Sequence, residues 1–156
     1  MIIIGADHAG FDLKNIIIEY FKEKSIKYED VTDYDKNNDD DYTDVALKVC
    51  KNVLSNKSNL GIAICGTGIG ISVACNKVKG IIATPCFDKY TASMVKKDNN
   101  SNVLCLGGRL EYAKNKENVL NIVDTYINTK FDGERHLRRI NKIKQMEENF
   151  GKKLWE

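Results

Sequence analysis

Several features that would place the chain in a particular functional class are absent or scarce. The five cysteines form no C-x-x-C pair, which argues against a thiol redox protein. Only two histidines are present, His8 and His136, and neither lies at ligand spacing from a cysteine. We therefore expect no metal site and no other cofactor.

The chain also lacks a large excess of positive or negative charge, and it lacks long apolar runs. A net charge of +2 is too small to indicate nucleic acid or a membrane surface as a partner. No apolar run reaches the roughly 18 residues that a membrane-spanning helix needs. The first residues, MIIIGADH, lack the basic start and the long apolar core of a secretion signal, so we expect a cytoplasmic protein.

Short apolar runs alternate with longer segments of helical periodicity. The pattern predicts strands at residues 1–6, 26–31, 60–65, 80–86 and 102–107, and helices at 11–24, 45–54, 88–97 and 116–128, with a further helix that ends at Lys77. This alternation predicts one α/β domain, residues 1–156, with a mostly parallel sheet covered on both faces. A polar, basic helix is predicted from about Gly133. This tail, residues 133–156, either packs on a neighbouring subunit through Leu137, Ile140 and Ile143 or lies in solvent.

The segment GIAICGTGIGIS, residues 61–72, joins a predicted strand to a glycine-rich turn. It is not a dinucleotide fingerprint, because the third glycine of G-x-G-x-x-G would fall on Ile71. A Walker loop ends in Gly-Lys-Ser/Thr, which this segment lacks. A cysteine phosphatase loop would have an arginine at position 71, where this chain has Ile71. What remains is a turn whose backbone N–H groups can bind an anion.

Cys65 stands at the mouth of this turn. The turn would stabilise an oxyanion as readily as a phosphate, and the same field favours the thiolate. A thiolate can serve as a nucleophile or as a general base, and the second role suits proton abstraction next to a carbonyl with the enediolate held by the turn. The alternative is a buried structural cysteine, which is the interpretation we favour for Cys75, Cys86 and Cys105.

Other polar residues follow neighbouring predicted strands. Asp7 and His8 follow the first strand and Arg109 the fifth, and the carboxyl ends of parallel strands meet at one edge of a sheet. Asp7 and His8 can transfer protons between sugar oxygens, or His8 can bind phosphate, although Asp7 can also simply cap the next helix. Arg109 with Arg135 and Arg139 would suit a phosphoryl group, whereas each alone is an ordinary surface charge.

Three segments in sequence order, DHAG, CGTGIG and GERHLRR, resemble the family of ribose-5-phosphate isomerase B and galactose-6-phosphate isomerase, and the likeness covers nearly the whole chain. The resemblance implies a Rossmann-like three-layer α/β/α sandwich with a five-stranded parallel sheet and a C-terminal helical tail. It also implies a homodimer or a dimer of dimers with active sites shared between subunits. The implied activity is a metal-free aldose–ketose isomerase that acts on a sugar phosphate through a cis-enediolate.

The resemblance further implies roles for individual residues. Cys65 would move the proton between C1 and C2, Thr67 would assist proton transfer on the enediolate oxygens, and Asp7 would help to open the sugar ring. The other implied substrate contacts are His8, Tyr42, Gly66, Gly68, Ile69, Gly70, Asn99, Arg109, Arg135, His136 and Arg139, of which Arg135 and Arg139 would come from the partner subunit.

Two positions depart from the family pattern. Many members have a histidine, assigned to ring opening, where this chain has Asp98, and often a proline where it has Thr43. Asp98 could open the ring with Asp7, His136 could take over that role, or the enzyme could use open-chain or other substrates. The change at Thr43 is expected to alter loop stiffness more than chemistry.

The leading hypothesis is therefore interconversion of ribose 5-phosphate and ribulose 5-phosphate. The alternatives are an isomerase of a six-carbon sugar phosphate of the galactose-6-phosphate or allose-6-phosphate type, and a non-catalytic homologue that binds a sugar phosphate or nucleotide.

Overall fold

The computed structural model of the chain describes residues 1–32 and 40–150. Part of the acidic loop, residues 33–39, and the end of the predicted tail, residues 151–156, therefore lie outside the described residues.

Five strands form one parallel sheet in the order β2-β1-β3-β5-β4. They are β1 (Ile2–Ala6), β2 (Tyr28–Asp30), β3 (Leu60–Cys65), β4 (Ala83–Pro85) and β5 (Val103–Gly107). In the register of the central strands, Ala6 lies opposite Ile64 and Cys65 lies opposite Gly107. The carboxyl ends of β1, β3 and β5 therefore lie side by side, and the predicted five-stranded parallel sheet is confirmed.

The two outer strands are shorter than the sequence predicts. β2 and β4 each keep only three residues and lie at the edges of the sheet. An edge strand has one neighbour, which limits the ladder that it can form, and it also tolerates a proline such as Pro85. The apolar runs at 26–31 and 80–86 thus mark the strands correctly but overstate their length.

Helices cover both faces of the sheet. They are α1 (Phe11–Glu23), α2 (Tyr42–Leu54), α3 (Ile69–Cys75), α4 (Lys89–Lys97), α5 (Lys116–Asn128) and α6 (Glu134–Phe150), with a short 3₁₀ helix at Glu111–Lys114. Ile4, Ile62 and Leu104 pack with α1, α4 and α5 on one face. The strand residues next to them, such as Ile3 and Ala63, pack with α2 and α3 on the other, because side chains alternate along a strand. The predicted three-layer sandwich is confirmed.

The tail helix α6 lies along the edge formed by the amino ends of the strands. Ile140 is buried there, and both carboxylate oxygens of Glu147 accept from the N–H of Gly80 at 3.1 Å. Leu137 and Ile143 are exposed. One side of α6 is thus packed on its own chain, and packing of the other side on a partner stays a prediction.

All five cysteines are free and buried, which confirms the interpretation of Cys75, Cys86 and Cys105 as buried residues. Burial raises the pKa of the Cys86 thiol to about 12, so this sulfur remains protonated and inert at neutral pH. Among residues 1–32 and 40–150, no helix has both the length and the apolar character that crossing a bilayer requires.

Candidate active site

A cavity of about 340 Å³ opens at the carboxyl ends of β1 and β3. Its lining comprises Asp7, His8, Ala9, Asp40, Asp41, Tyr42, Cys65, Gly66, Thr67, Gly70 and Arg109. The structure therefore brings together eight of the residues that the sequence singled out, although they come from four separate parts of the chain.

Cys65 is the last residue of β3, and only 5% of its surface is exposed. Its Sγ accepts a hydrogen bond from the backbone N–H of Gly68 at 3.2 Å. Gly68 has a φ of 76°, in the left-handed region, and a Cβ there would lie 3.0 Å from the carbonyl carbon of Leu106. Glycine at this position lets the N–H turn toward the sulfur, where it stabilises negative charge.

The glycine turn uses some of its N–H groups internally and leaves others available. The N–H of Gly68 is bound to Cys65, and the N–H of Ile69 donates to the hydroxyl of Thr67 at 3.2 Å. The N–H groups of Gly66 and Thr67 donate to no hydrogen bond among the described residues. An oxyanion beside Cys65 would therefore be held by these two groups, with Gly70 in the first turn of α3 adjacent to them.

Asp7 has a structural role and also lines the cavity. Its Oδ1 accepts from the N–H groups of Ala9 and Gly10 at 3.0 and 3.1 Å, so it stabilises the turn that leads into α1. The helix-capping alternative is thus partly correct, although the N-cap residue itself is Gly10. Burial raises the pKa of the Asp7 carboxyl despite these hydrogen bonds. A carboxyl that accepts a proton more readily suits acid–base transfer.

His8 is held by Asp40, a residue that the sequence analysis missed. Asp40 Oδ1 lies 2.9 Å from both the backbone nitrogen and the ring Nδ1 of His8. A carboxylate at Nδ1 favours a proton on that nitrogen and fixes the orientation of the ring. Asp40 belongs to an acidic run that resembles a solvated loop, so only the contact across 32 residues reveals its role.

Arg109 and Tyr42 complete the walls of the cavity. The backbone N–H of Arg109 donates to the carbonyl of Gly66 at 2.9 Å, and its guanidinium lies beside the same glycine. Arg109 forms no ion pair with a described carboxylate, so its charge is available to an anion. The ring of Tyr42, the first residue of α2, lies against Gly70.

Tyr112, in the 3₁₀ helix, was also missed by the sequence analysis. Its hydroxyl accepts from the N–H of Gly107 at 2.8 Å and so fixes the end of β5, directly opposite Cys65 in the sheet. Burial raises the pKa of this phenol to about 12, which keeps it neutral. Nothing in the local sequence distinguishes Tyr112 from an ordinary exposed tyrosine.

The remaining predicted residues lie elsewhere in the chain, at the amino ends of the strands. They are Asp98, Asn99, Arg135, His136 and Arg139. Asp98 is the C-cap of α4, and the segment that follows is tied to the start of β4 through Asn102, whose Oδ1 accepts from the N–H of Ile82 at 2.8 Å. This edge is opposite the one that carries Cys65. Within a single chain, the two groups of predicted residues therefore do not meet.

The second group has contacts of its own. His136 Nε2 lies 3.4 Å from Asp98 Oδ1 and accepts from Arg135 Nε at 3.3 Å. His136 is buried, and its Nδ1 has no hydrogen-bond partner among the described residues. Asn99, Arg135 and Arg139 are exposed.

Comparison with known proteins decides the family. A family model described as Ribose/Galactose Isomerase matches residues 2–143. The chain belongs to this family. Within the ribose/galactose isomerases, it is 42% identical over 143 residues to a probable ribose-5-phosphate isomerase B of Mycoplasma genitalium, with 91% of this chain and 92% of the relative covered.

Two further relatives bear on the choice of substrate. A crystal structure of ribose-5-phosphate isomerase B from Mycoplasma genitalium with bound ribulose-5-phosphate superposes with a TM-score of 0.88, at 40% identity over 95% of this chain and 96% of that one. A D-erythrulose-4-phosphate isomerase of Pectobacterium atrosepticum is 37% identical, with 91% of each chain covered. The ribose/galactose isomerase family thus includes relatives named for substrates of different length.

Proposed function

We propose that the protein interconverts ribose 5-phosphate and ribulose 5-phosphate. The observation that carries this proposal is the thiol of Cys65, which lies in the cavity beside the N–H groups of Gly66 and Thr67, both without a hydrogen-bond partner among the described residues. A base next to an oxyanion site is what aldose–ketose isomerisation requires, because the proton to be removed lies next to a carbonyl. As an enzyme of sugar-phosphate metabolism, it is proposed to work in the cytoplasm.

The reaction then follows from the positions of these groups. The Cys65 thiolate removes the proton from C2 of the open-chain aldose, and the electron pair moves to form the cis-enediolate. The turn at 66–70 holds the two oxygens of this intermediate, and the Thr67 hydroxyl moves the proton between them. Return of the proton from Cys65 to C1 gives the ketose. Every proton removed is returned, so no co-reactant is consumed.

The phosphate is proposed to lie away from the glycine turn. Arg109 supplies a guanidinium that is unpaired among the described residues, and His8 is oriented by Asp40. Arg135 and Arg139 are proposed to reach the same phosphate from a partner subunit. This arrangement separates the developing oxyanion at Cys65 from the fixed charge of the substrate.

We infer that the working enzyme is a homodimer, or a dimer of dimers, whose active sites are shared. The support is the separation of the predicted residues into two groups at opposite edges of the sheet. In an isologous dimer, each such edge can face the opposite edge of the second copy, so that two identical composite sites form. The exposed arginines and Asn99 of one subunit would then complete the cavity of the other.

Ring opening is assigned to Asp98 and His136 acting together. The exposed carboxylate of Asp98 reaches the sugar and takes up a proton, which it can pass to Nε2 of the buried His136, 3.4 Å away. His136 is then a positioning residue, since it acts through Asp98. Many members of the family have a histidine at the position of Asp98. This assignment accounts for its replacement, because the imidazole of His136 lies next to the Asp98 carboxylate.

A comparison of substrates tests both the function and this assignment. The wild type is expected to have its highest kcat/KM with ribose 5-phosphate and much lower values with galactose 6-phosphate and allose 6-phosphate. Asp98→Asn is expected to lower kcat/KM for ribose 5-phosphate by about 10²-fold, within the usual range for loss of an acid–base group. Coupled assays of both enzymes on each substrate provide the measurement.

Erythrose 4-phosphate is the matched control, because its C4 hydroxyl is esterified and it cannot close to a furanose. Asp98→Asn should leave any turnover of this substrate nearly unchanged. Equal losses on both substrates would contradict the ring-opening role while leaving the isomerase proposal intact. A preference for a six-carbon phosphate would contradict the proposed substrate.

A further inference from the structure

A second polar cavity, of about 280 Å³, lies at the edge of the sheet opposite Cys65. It is closed on one side by α6 and on the other by the segments that lead into β3, β4 and β5. The polar side chains that line it are Lys57, Asn59, Lys96, Asn100, Asn102 and Lys144. No acidic side chain of the described residues is part of this lining, so the cavity is cationic.

Lys96 forms the buried part of this cavity. Only 7% of the residue is exposed, its Nζ donates to the carbonyl of Ser101 at 2.9 Å, and the same Nζ lies 5.3 Å from the centroid of the Tyr126 ring. No described carboxylate pairs with it, and burial lowers the pKa of its ammonium group. An ammonium has three donors, and lysines are almost never buried without a counter-charge.

A carboxylate does lie beside the cavity, that of Glu147, but both of its oxygens accept from the N–H of Gly80 and it forms no ion pair with Lys96. The side chain of Asn102 is neutral; it donates to the carbonyl of Gly80 and accepts from the N–H of Ile82. Lys57 and Lys144 are exposed at the rim and form no ion pair with a described residue. The lining therefore carries three lysines, and the Glu147 carboxylate beside it can balance only one of them.

We propose that this cavity binds a phosphate-type oxyanion, with Lys96 donating at the floor and Lys57 and Lys144 at the rim. Charge-assisted hydrogen bonds from ammonium groups to phosphate oxygens are strong and need no particular sequence motif. The site is separate from the catalytic cavity of the same chain and does not depend on the proposed isomerase activity. Free phosphate and the phosphoryl group of a small metabolite both offer the anionic oxygens that these lysines would bind.

Titration of the ¹⁵N-labelled protein with inorganic phosphate tests the proposal. The amide signals of Asn59 and Asn102 are expected to shift and saturate with a Kd on the order of 1 mM. Signals of Gly66 and Thr67 report separately on the catalytic cavity. Lys96→Met is expected to weaken the effect at Asn59 and Asn102 by about tenfold or more, since a hydrogen bond to a charged group is lost.

Two lysines of α6 provide matched variants. Lys144→Met should also weaken phosphate binding, whereas Lys142→Met should not, because Lys142 lines a different groove with Leu137 and Arg138. If Lys96→Met does not fold, the comparison of Lys144→Met with Lys142→Met still tests the proposed phosphate site. A parallel titration with methyl phosphate distinguishes free phosphate from phosphate esters as the ligand. Saturable shifts would show that the site also binds esters, and their absence would show that it binds only the free ion. Unsaturable shifts with phosphate, or equal shifts in all variants, would overturn the proposal.

Discussion

Cys65→Ala is expected to lower kcat for ribose 5-phosphate by about 10³-fold or more, because the base that removes the C2 proton is lost. The Kd for ribose 5-phosphate should stay close to that of the wild type. The proposed phosphate ligands and the N–H groups of Gly66 and Thr67 do not depend on the sulfur. Steady-state assays give kcat, and calorimetric titration of the inactive variant gives the Kd without turnover.

Cys75→Ala is the matched control for this prediction. Cys75 is a fully buried thiol on the same face of the sheet and is not part of the cavity lining. Its replacement should cost some stability through lost packing while kcat remains near the wild-type value. Substantial turnover in Cys65→Ala would remove the thiolate-base mechanism, whatever the control shows.

Gly68→Ala is expected to lower kcat by about 10²-fold, because the N–H that favours the Cys65 thiolate is displaced, a loss comparable to that of one donor in an oxyanion site. The φ of 76° and the approach of a new Cβ to the carbonyl of Leu106 oblige the turn to move. The N–H of Gly68 then no longer points at the sulfur of Cys65. A left-handed alanine also costs roughly 1–2 kcal/mol of folding free energy.

Gly80→Ala separates the loss of kcat from the loss of folding stability. Gly80 has a φ of 87°, and the nearest atom to a new Cβ is Leu54 Cδ2 at 3.4 Å, remote from the catalytic cavity. This variant should lose a similar amount of stability in chemical denaturation and retain its kcat. If Gly68→Ala behaved in the same way, the glycine turn would have only a conformational role at this position.

Local sequence patterns correctly predicted the part of the site that lies at the carboxyl ends of β1 and β3. The apolar runs that end at Ala6 and Cys65 are strands in the structure, and parallel strands align their carboxyl ends. Asp7, His8 and Cys65 could therefore be placed together without knowledge of the strand order. The glycine pattern after Cys65 also carried enough information to exclude the common nucleotide loops.

Contacts between distant segments could not be predicted in this way. Asp40 reaches His8 across 32 residues, and His136 meets Asp98 from a different helix. Neither pair has a spacing that a helix or a strand imposes, so the pairing depends on how α4 and α6 pack and on where the chain places Asp40. The separation of the predicted residues between two edges of the sheet likewise needed the tertiary structure.

The shared active site is the central claim, and a mixture of two inactive variants tests it most directly. Cys65→Ala and the double variant Arg135→Met/Arg139→Met damage different groups, and each alone should be nearly inactive at low substrate concentration. When equal amounts are unfolded and refolded together as a two-fold dimer, half of the dimers are mixed. Each mixed dimer then contains one intact site and one doubly damaged site.

The account predicts that the refolded mixture recovers roughly one quarter of the wild-type activity, since half of the dimers have half of their sites intact. Native mass spectrometry on the same sample verifies that mixed dimers have formed. A mixture that contains mixed dimers and remains as inactive as its two components would contradict the account, because both groups of residues would then have to act within one chain.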